Sequence, residues 1–220
     1  LLVSRLRFGV IIFCSVLFWS GLFILFWDGF YFLERHRLIT GPLIELLFGF
    51  FFASLLVMLV FSSSIILFGD DLGMQQGPQI SPAMYDEFFK PRHALLWGRS
   101  KQKCPHLKVM LHCCGGVREL MPSLIDAGLD AINPVQVSCQ GMDPQVLKRE
   151  FGRDMVFWGG GCDTQHILPL STPAEVAAHV KAQVETLSPG GGFVFQQVHN
   201  IMANVPPENV VAMYQALETL

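Results

Sequence analysis

Charge is scarce in this chain of 220 residues: Asp, Glu, Lys and Arg make up 15%, against about 25% in an ordinary soluble domain. The basic and acidic residues nearly balance, 15 against 18, and no Lys/Arg cluster exceeds three residues. Nucleic-acid binding needs a basic patch or stripe, so no nucleic-acid partner is expected. Cysteine is present six times, at Cys14, Cys104, Cys113, Cys114, Cys139 and Cys162, without the spacing of a secreted disulfide scaffold. The adjacent pair Cys113-Cys114 is poorly placed for an ordinary disulfide, which points to a reducing, cytoplasmic setting. The run Gly159-Gly160-Gly161 matches neither the Walker pattern nor the dinucleotide fingerprint, which leaves nucleotide binding unsupported.

Hydrophobic residues, at 51%, are in excess, and the excess is concentrated before Phe68. Phe8 to Trp27 carries no charge and is long enough as a helix to cross a bilayer. A second apolar run, Leu46 to Phe68, follows a connection containing Asp28, Glu34, Arg35, His36, Arg37 and Glu45. Residues 1–64 are therefore expected to be a hydrophobic helical segment, either a transmembrane hairpin that anchors the protein or the product of a shifted reading frame. The chain begins with Leu, and the expectation is a fragment.

Residues 65–220 read differently, as repeated strand-loop-helix units. Ser64 to Phe68 is a short apolar strand ending at Asp70-Asp71, and Ser81-Pro82 caps the helix after it. Leu107 to Leu111 ends at His112-Cys113-Cys114 and leads to a helix over Val117 to Ala127. Ala131-Ile132 runs into Asn133-Pro134, with a helix capped by Asp143. Met155 to Trp158 ends in the glycine run and Cys162-Asp163, and its helix opens with a capping box at Thr172 and Glu175. Gly192 to Val198 ends at His199-Asn200, before a helix from Pro207. Such alternation predicts a parallel sheet covered by helices, closed as the C-terminal five units of a TIM-type (β/α)8 barrel. Barrels place catalytic residues in the loops after their strands, where these polar clusters fall.

The segments GDDLGMQQGPQISPAMYDEFFKPR, LHCCGGVRELMPSLIDAGLDAINPVQ, LKREFGRDMVFWGGGCDTQ and VHNIMANVPPENVVAMY together resemble the uroporphyrinogen decarboxylase superfamily. The resemblance spans residues 65–220. It implies one of two activities: zinc-dependent methyl transfer from a corrinoid protein or a small methylated compound to a thiol, or cofactor-independent decarboxylation of a porphyrinogen. In the methyltransferase branch a His-x-Cys pair and a later Cys bind zinc; His112-x-Cys114 matches the pair, while the later position falls at His199, as in the decarboxylases. A third reading is an inactive fragment with unpaired strand edges.

Zinc favours thiolate and imidazole ligands and keeps one position open in catalytic sites. His112 and Cys114 alternate along an extended backbone and so face one side, with Cys162 or His199 as the third ligand. The alternative for each is a buried or loop residue without a role. Cys113 is expected to point into packing. His199, Asp70 and Asp71 are catalytic candidates, one of the two Asp being structural; Gln75, Gln76, Gln136, Asp163, Gln165 and Asn200 are candidates for holding a small polar substrate. His93, His106, His166 and His179 read as surface residues, and the glycine run as a close approach of backbone to ligand.

Overall fold

Five short runs of β-branched and long apolar residues pair side by side in chain order, each returned to the same sheet edge by a helix. The computed structural model describes residues 64–220. The strands are β1 (Ile65–Gly69), β4 (Lys108–His112), β5 (Ala131–Asn133), β6 (Val156–Trp158) and β7 (Phe193–Val194), all parallel. A small antiparallel hairpin, β2 (Gly73–Met74) with β3 (Gly77–Pro78), follows β1. The architecture is a partial TIM-type barrel, five of its parallel strands with their helices; among the described residues, β1 and β7 are its two ends. The hydrophobic segment expected over residues 1–64 lies, up to residue 63, outside the described residues. No described helix is long and apolar enough to cross a membrane.

The helices begin where capping chemistry dictates. Ser81 accepts from the Met84 amide ahead of α1 (Pro82–Met84), which runs through a π-helical turn, Tyr85–Phe89, into α2 (Lys90–Lys103). The helix expected over Val117 to Ala127 is split into a 3-10 turn, Arg118–Leu120, and α3 (Met121–Asp126), since Pro122 cannot donate to the preceding turn. Asp143 caps α4 (Pro144–Phe151) by accepting from the Val146 amide. After the short α5 (Ile167–Leu170), Thr172 and Glu175 close a capping box on α6 (Pro173–Leu187). The last helix is α7 (Pro207–Glu218).

Alternation along the strands separates two faces. Val109, Leu111, Ile132 and Phe157 are fully buried in a core that also holds Trp97, Leu120, Met121, Leu124 and Leu147 from the helices. Full burial of each such side chain contributes about 1.5–3 kcal/mol. A second core gathers Cys162, Leu168, Val176, Val180, Val205 and Met213 around α6 and α7. The opposite strand face carries Leu67, Met110 and Ala131 in register, with Gly69, His112 and Asn133 aligned one step further at the C-terminal ends. This interior face is open: Leu67 is 59% exposed. The site is thus built at the carboxyl ends of neighbouring strands, on the interior side.

Candidate metal centre

His112 closes β4, and its partner across the ladder is Asn133, the last residue of β5. The Asn133 amide donates from Nδ2 to the Trp158 carbonyl at 2.8 Å and to Gln196 Oε1 at 3.2 Å. Because a backbone carbonyl only accepts, the orientation of this amide is fixed, and its Oδ1 lies 2.7 Å from His112 Nδ1. His112 therefore carries its proton on Nδ1 and turns a lone pair outward on Nε2. That nitrogen stands 3.3 Å from Cys114 Sγ. His199 completes the group: its ring centroid is 5.6 Å from that of His112, and the ligand atoms of His112, Cys114 and His199 all lie within 4.8 Å of one another.

Three consecutive residues after β1 hold three consecutive residues at the end of β4. The Asp70 amide donates to the His112 carbonyl at 3.0 Å. Asp71 Oδ1 accepts the Cys114 amide at 2.9 Å, and the Leu72 amide donates to Cys113 Sγ at 3.3 Å. The approach is so close that a Cβ on Gly115 would sit 2.3 Å from the Gly73 carbonyl carbon; Gly115 also has φ +87°, a region where a side chain is strained. Cys113 points into the core, 1% exposed.

The electrostatics follow from burial and these bonds. The hydrogen bond from the Cys114 amide above all holds the Asp71 carboxyl below its ordinary range, against the opposing effect of burial. Burial, and then the Asp71 charge, push the Cys114 thiol up to about 11. Without a cation nearby that thiol keeps its proton at neutral pH. Cys162 is different: it is fully buried in the second core, its thiol pushed up to about 12 by burial. The group that converges is His112, Cys114 and His199, and Cys162, expected as a ligand, packs among Val176 and Val180 instead.

Other expected site residues divide. Gln136, Gln165 and Asn200 line a cavity of about 300 Å³ together with Cys114, His199 and Met202. Gln75 bonds Gln165 Oε1 at 3.0 Å and accepts from the Cys139 thiol, which ties the hairpin to the cavity wall. Gln76 lines a separate cavity beside Arg118. Asp163 is 7% exposed, and its carboxylate accepts from the amides of Gln165 and His166 and meets the His166 ring at 3.0 Å, so it organises its own loop. Asp70 is paired with His93 at 3.2 Å.

Three expectations are corrected. His93 is not a surface residue: it is 8% exposed, stacks on Trp97 at 4.5 Å and bonds Tyr85 Oη at 2.9 Å. His179 is half-buried and accepts the Asp163 amide at 3.4 Å. The glycine run meets protein rather than ligand: a Cβ on Gly159 would overlap the Pro134 carbonyl at 2.0 Å, and one on Gly161 the Phe195 ring at 2.4 Å. Asn133, absent from the expected site residues, is the one that orients His112. Its sequence signal was a polar side chain at a strand end in the unit after His112.

A donor set at the carboxyl ends of parallel barrel strands, opening on a cavity, defines the class of an α/β-barrel enzyme site. The chain belongs to the uroporphyrinogen decarboxylase (URO-D) family, whose model matches residues 49–220. An ATP-binding cassette model matches residues 1–71. Among solved structures, a methyltransferase from Methanosarcina mazei is similar with a TM-score of 0.55 at 19% identity, over 72% of this chain and 42% of that protein. That likeness is one of fold, and the chain spans less than half of the length of that relative. No curated protein matches the chain.

Proposed function

We propose that this member of the family is a zinc-dependent methyltransferase, with zinc held by His112, Cys114 and His199 and a thiol as methyl acceptor. The observation that carries the reading is the convergence of those three ligand atoms within 4.8 Å, in the two-imidazole, one-thiolate set that zinc favours. Tetrahedral bonds of about 2.0–2.3 Å put ligand atoms roughly 3.3–3.6 Å apart. The His112–Cys114 separation of 3.3 Å fits already. Three protein ligands leave a fourth position toward the cavity.

Zinc bound there supplies a Lewis acid that lowers the pKa of an acceptor thiol in the open position. The chain's own residues do the rest. Asn133 keeps the His112 proton on Nδ1, Asp71 fixes the Cys114 backbone, and the cavity walls receive the methylated compound or the face of a corrinoid carrier. Decarboxylation of a porphyrinogen fits less well: a cavity of about 300 Å³ lined, among the described residues, by no Lys or Arg offers little to a macrocycle bearing many carboxylates. A reducing, cytoplasmic setting for the barrel portion belongs to the same reading, since it keeps Cys114 available as a thiol.

The test is metal content. Purified chain is expected to hold about one equivalent of zinc by atomic absorption, falling below about a tenth in His112→Ala, Cys114→Ala and His199→Ala. Failure of the wild-type chain to take up zinc at micromolar concentration would overturn the proposal. The activity assay that follows is methylation of a thiol from methylcobalamin.

A further inference from the structure

We infer that Gln136 and Gln165 form an acceptor-oxygen subsite beside His199 and Cys114, selecting a small methylated compound that carries a carboxylate and rejecting a cationic one. The inference deepens the methyltransferase reading and rests on it.

Gln136 Oε1 accepts the backbone N–H of Gly115 at 2.9 Å. An N–H only donates, so the atom turned to Gly115 is the oxygen and the –NH₂ is the end left over. Gln165 Oε1 likewise receives Gln75 Nε2 at 3.0 Å and the Ser138 hydroxyl at 2.8 Å. The Gln75 oxygen in turn receives the Cys139 thiol. Neither Nε2 has a partner among the described residues, and both side chains line the cavity that contains Cys114 and His199.

Two amide groups with their oxygens tied back to protein present only hydrogens to a ligand. The Thr164 hydroxyl donates to the Val198 carbonyl, which leaves it unable to donate into the cavity as well. Among the described residues no carboxylate lines the cavity to attract a cation; Asp71 accepts the Cys114 amide, and Asp163 accepts those of Gln165 and His166. Val198 and Met202 supply an apolar wall for a methyl group. A ligand matching this lining has two acceptor oxygens at one end and a methyl group at the other.

The substitutions Gln136→Glu and Gln165→Glu test this cleanly, since each keeps the oxygen that its loop needs and replaces the free –NH₂ by a charged oxygen. The probes are (methylthio)acetate and its cationic counterpart 2-(methylthio)ethylammonium, titrated into ¹⁵N-labelled chain and followed by the side-chain amide resonances and by calorimetry. Wild-type chain is expected to bind the acid, shifting the Gln136 and Gln165 –NH₂ signals, and to bind the cation about tenfold more weakly or worse. In the double variant the preference is expected to reverse, with an unchanged thermal melt. Equal or tighter binding of the cation by wild type, binding of the acid that ignores both substitutions, or no binding of the acid at millimolar concentration would overturn the inference. Zinc content measured on the same samples separates this outcome from failure of the metal site, because the probes can be titrated whether or not zinc is present.

Discussion

Asp71 accepts the backbone N–H of Cys114 across a 43-residue separation in the chain, at 2.9 Å. The bond fixes the Cys114 backbone relative to β1 and leaves the thiol facing His112. Asp71→Ala is expected to weaken zinc binding about 10- to 100-fold, the usual range for a residue that orients a ligand. Competition against a chromogenic chelator measures it, with the thermal melt recorded alongside. An unchanged affinity would show that Cys114 is held by other contacts.

Asn133 sets the tautomer of His112 from one strand away. Replacement by Asp keeps an acceptor for Nδ1 but loses the donor to the Trp158 carbonyl, whereas Leu loses both. Zinc affinity is expected to fall more for Asn133→Leu than for Asn133→Asp, the Leu variant by about 10- to 100-fold. Equal affinities for the two would sink the orienting role.

Of the two candidates for a third ligand, Cys162 and His199, it is His199 that lies with His112 and Cys114. Cys162→Ala is expected to retain full zinc stoichiometry while destabilising the fold by about 1–2 kcal/mol, because a fully buried side chain leaves a small cavity. Urea unfolding with parallel metal analysis checks both halves. Loss of zinc on this substitution would restore Cys162 as a ligand.

Asp130 gives the fold a pH dependence. Burial alone would raise its carboxyl pKa, yet hydrogen bonds from Lys101 and from the Val109 amide, with the Lys101 and Lys108 charges, outweigh burial and lower it. A carboxyl lower in the folded state contributes stability that is complete above its unfolded value of about 3.9 and is lost as pH falls through the folded value. Urea midpoints of wild type and Asp130→Asn are therefore expected to differ at pH 7 and to converge as the pH falls below the unfolded value of about 3.9. Parallel curves across that window would remove Asp130 as a source of acid sensitivity.

What the sequence made legible was what neighbours along the chain determine. Ser81, Asp143 and Thr172 cap helices through bonds spanning three residues, and all three cap as expected. His112 and Cys114 share a side because the strand alternates. His93 was misread because its burial depends on the π-helical turn before it, which brings Tyr85 and Phe89 against its ring. Asn133 required the register between β4 and β5, which no local pattern encodes. For His199 the strand was expected to reach Val198; instead β7 stops at Val194, and a single bridge between Cys162 and Gln197 carries the chain onward to a residue with φ +57°.

The three-on-three clamp between Asp70–Leu72 and His112–Cys114 also bears on when the site comes into being. Two donors two residues apart look able to seize an ion as soon as they are synthesised, yet their placement is dictated by a distant strand and their third companion lies 85 residues beyond Cys114. The group is thus a product of tertiary assembly, and under the proposed function its affinity for an ion would read out the docking of β1 on β4.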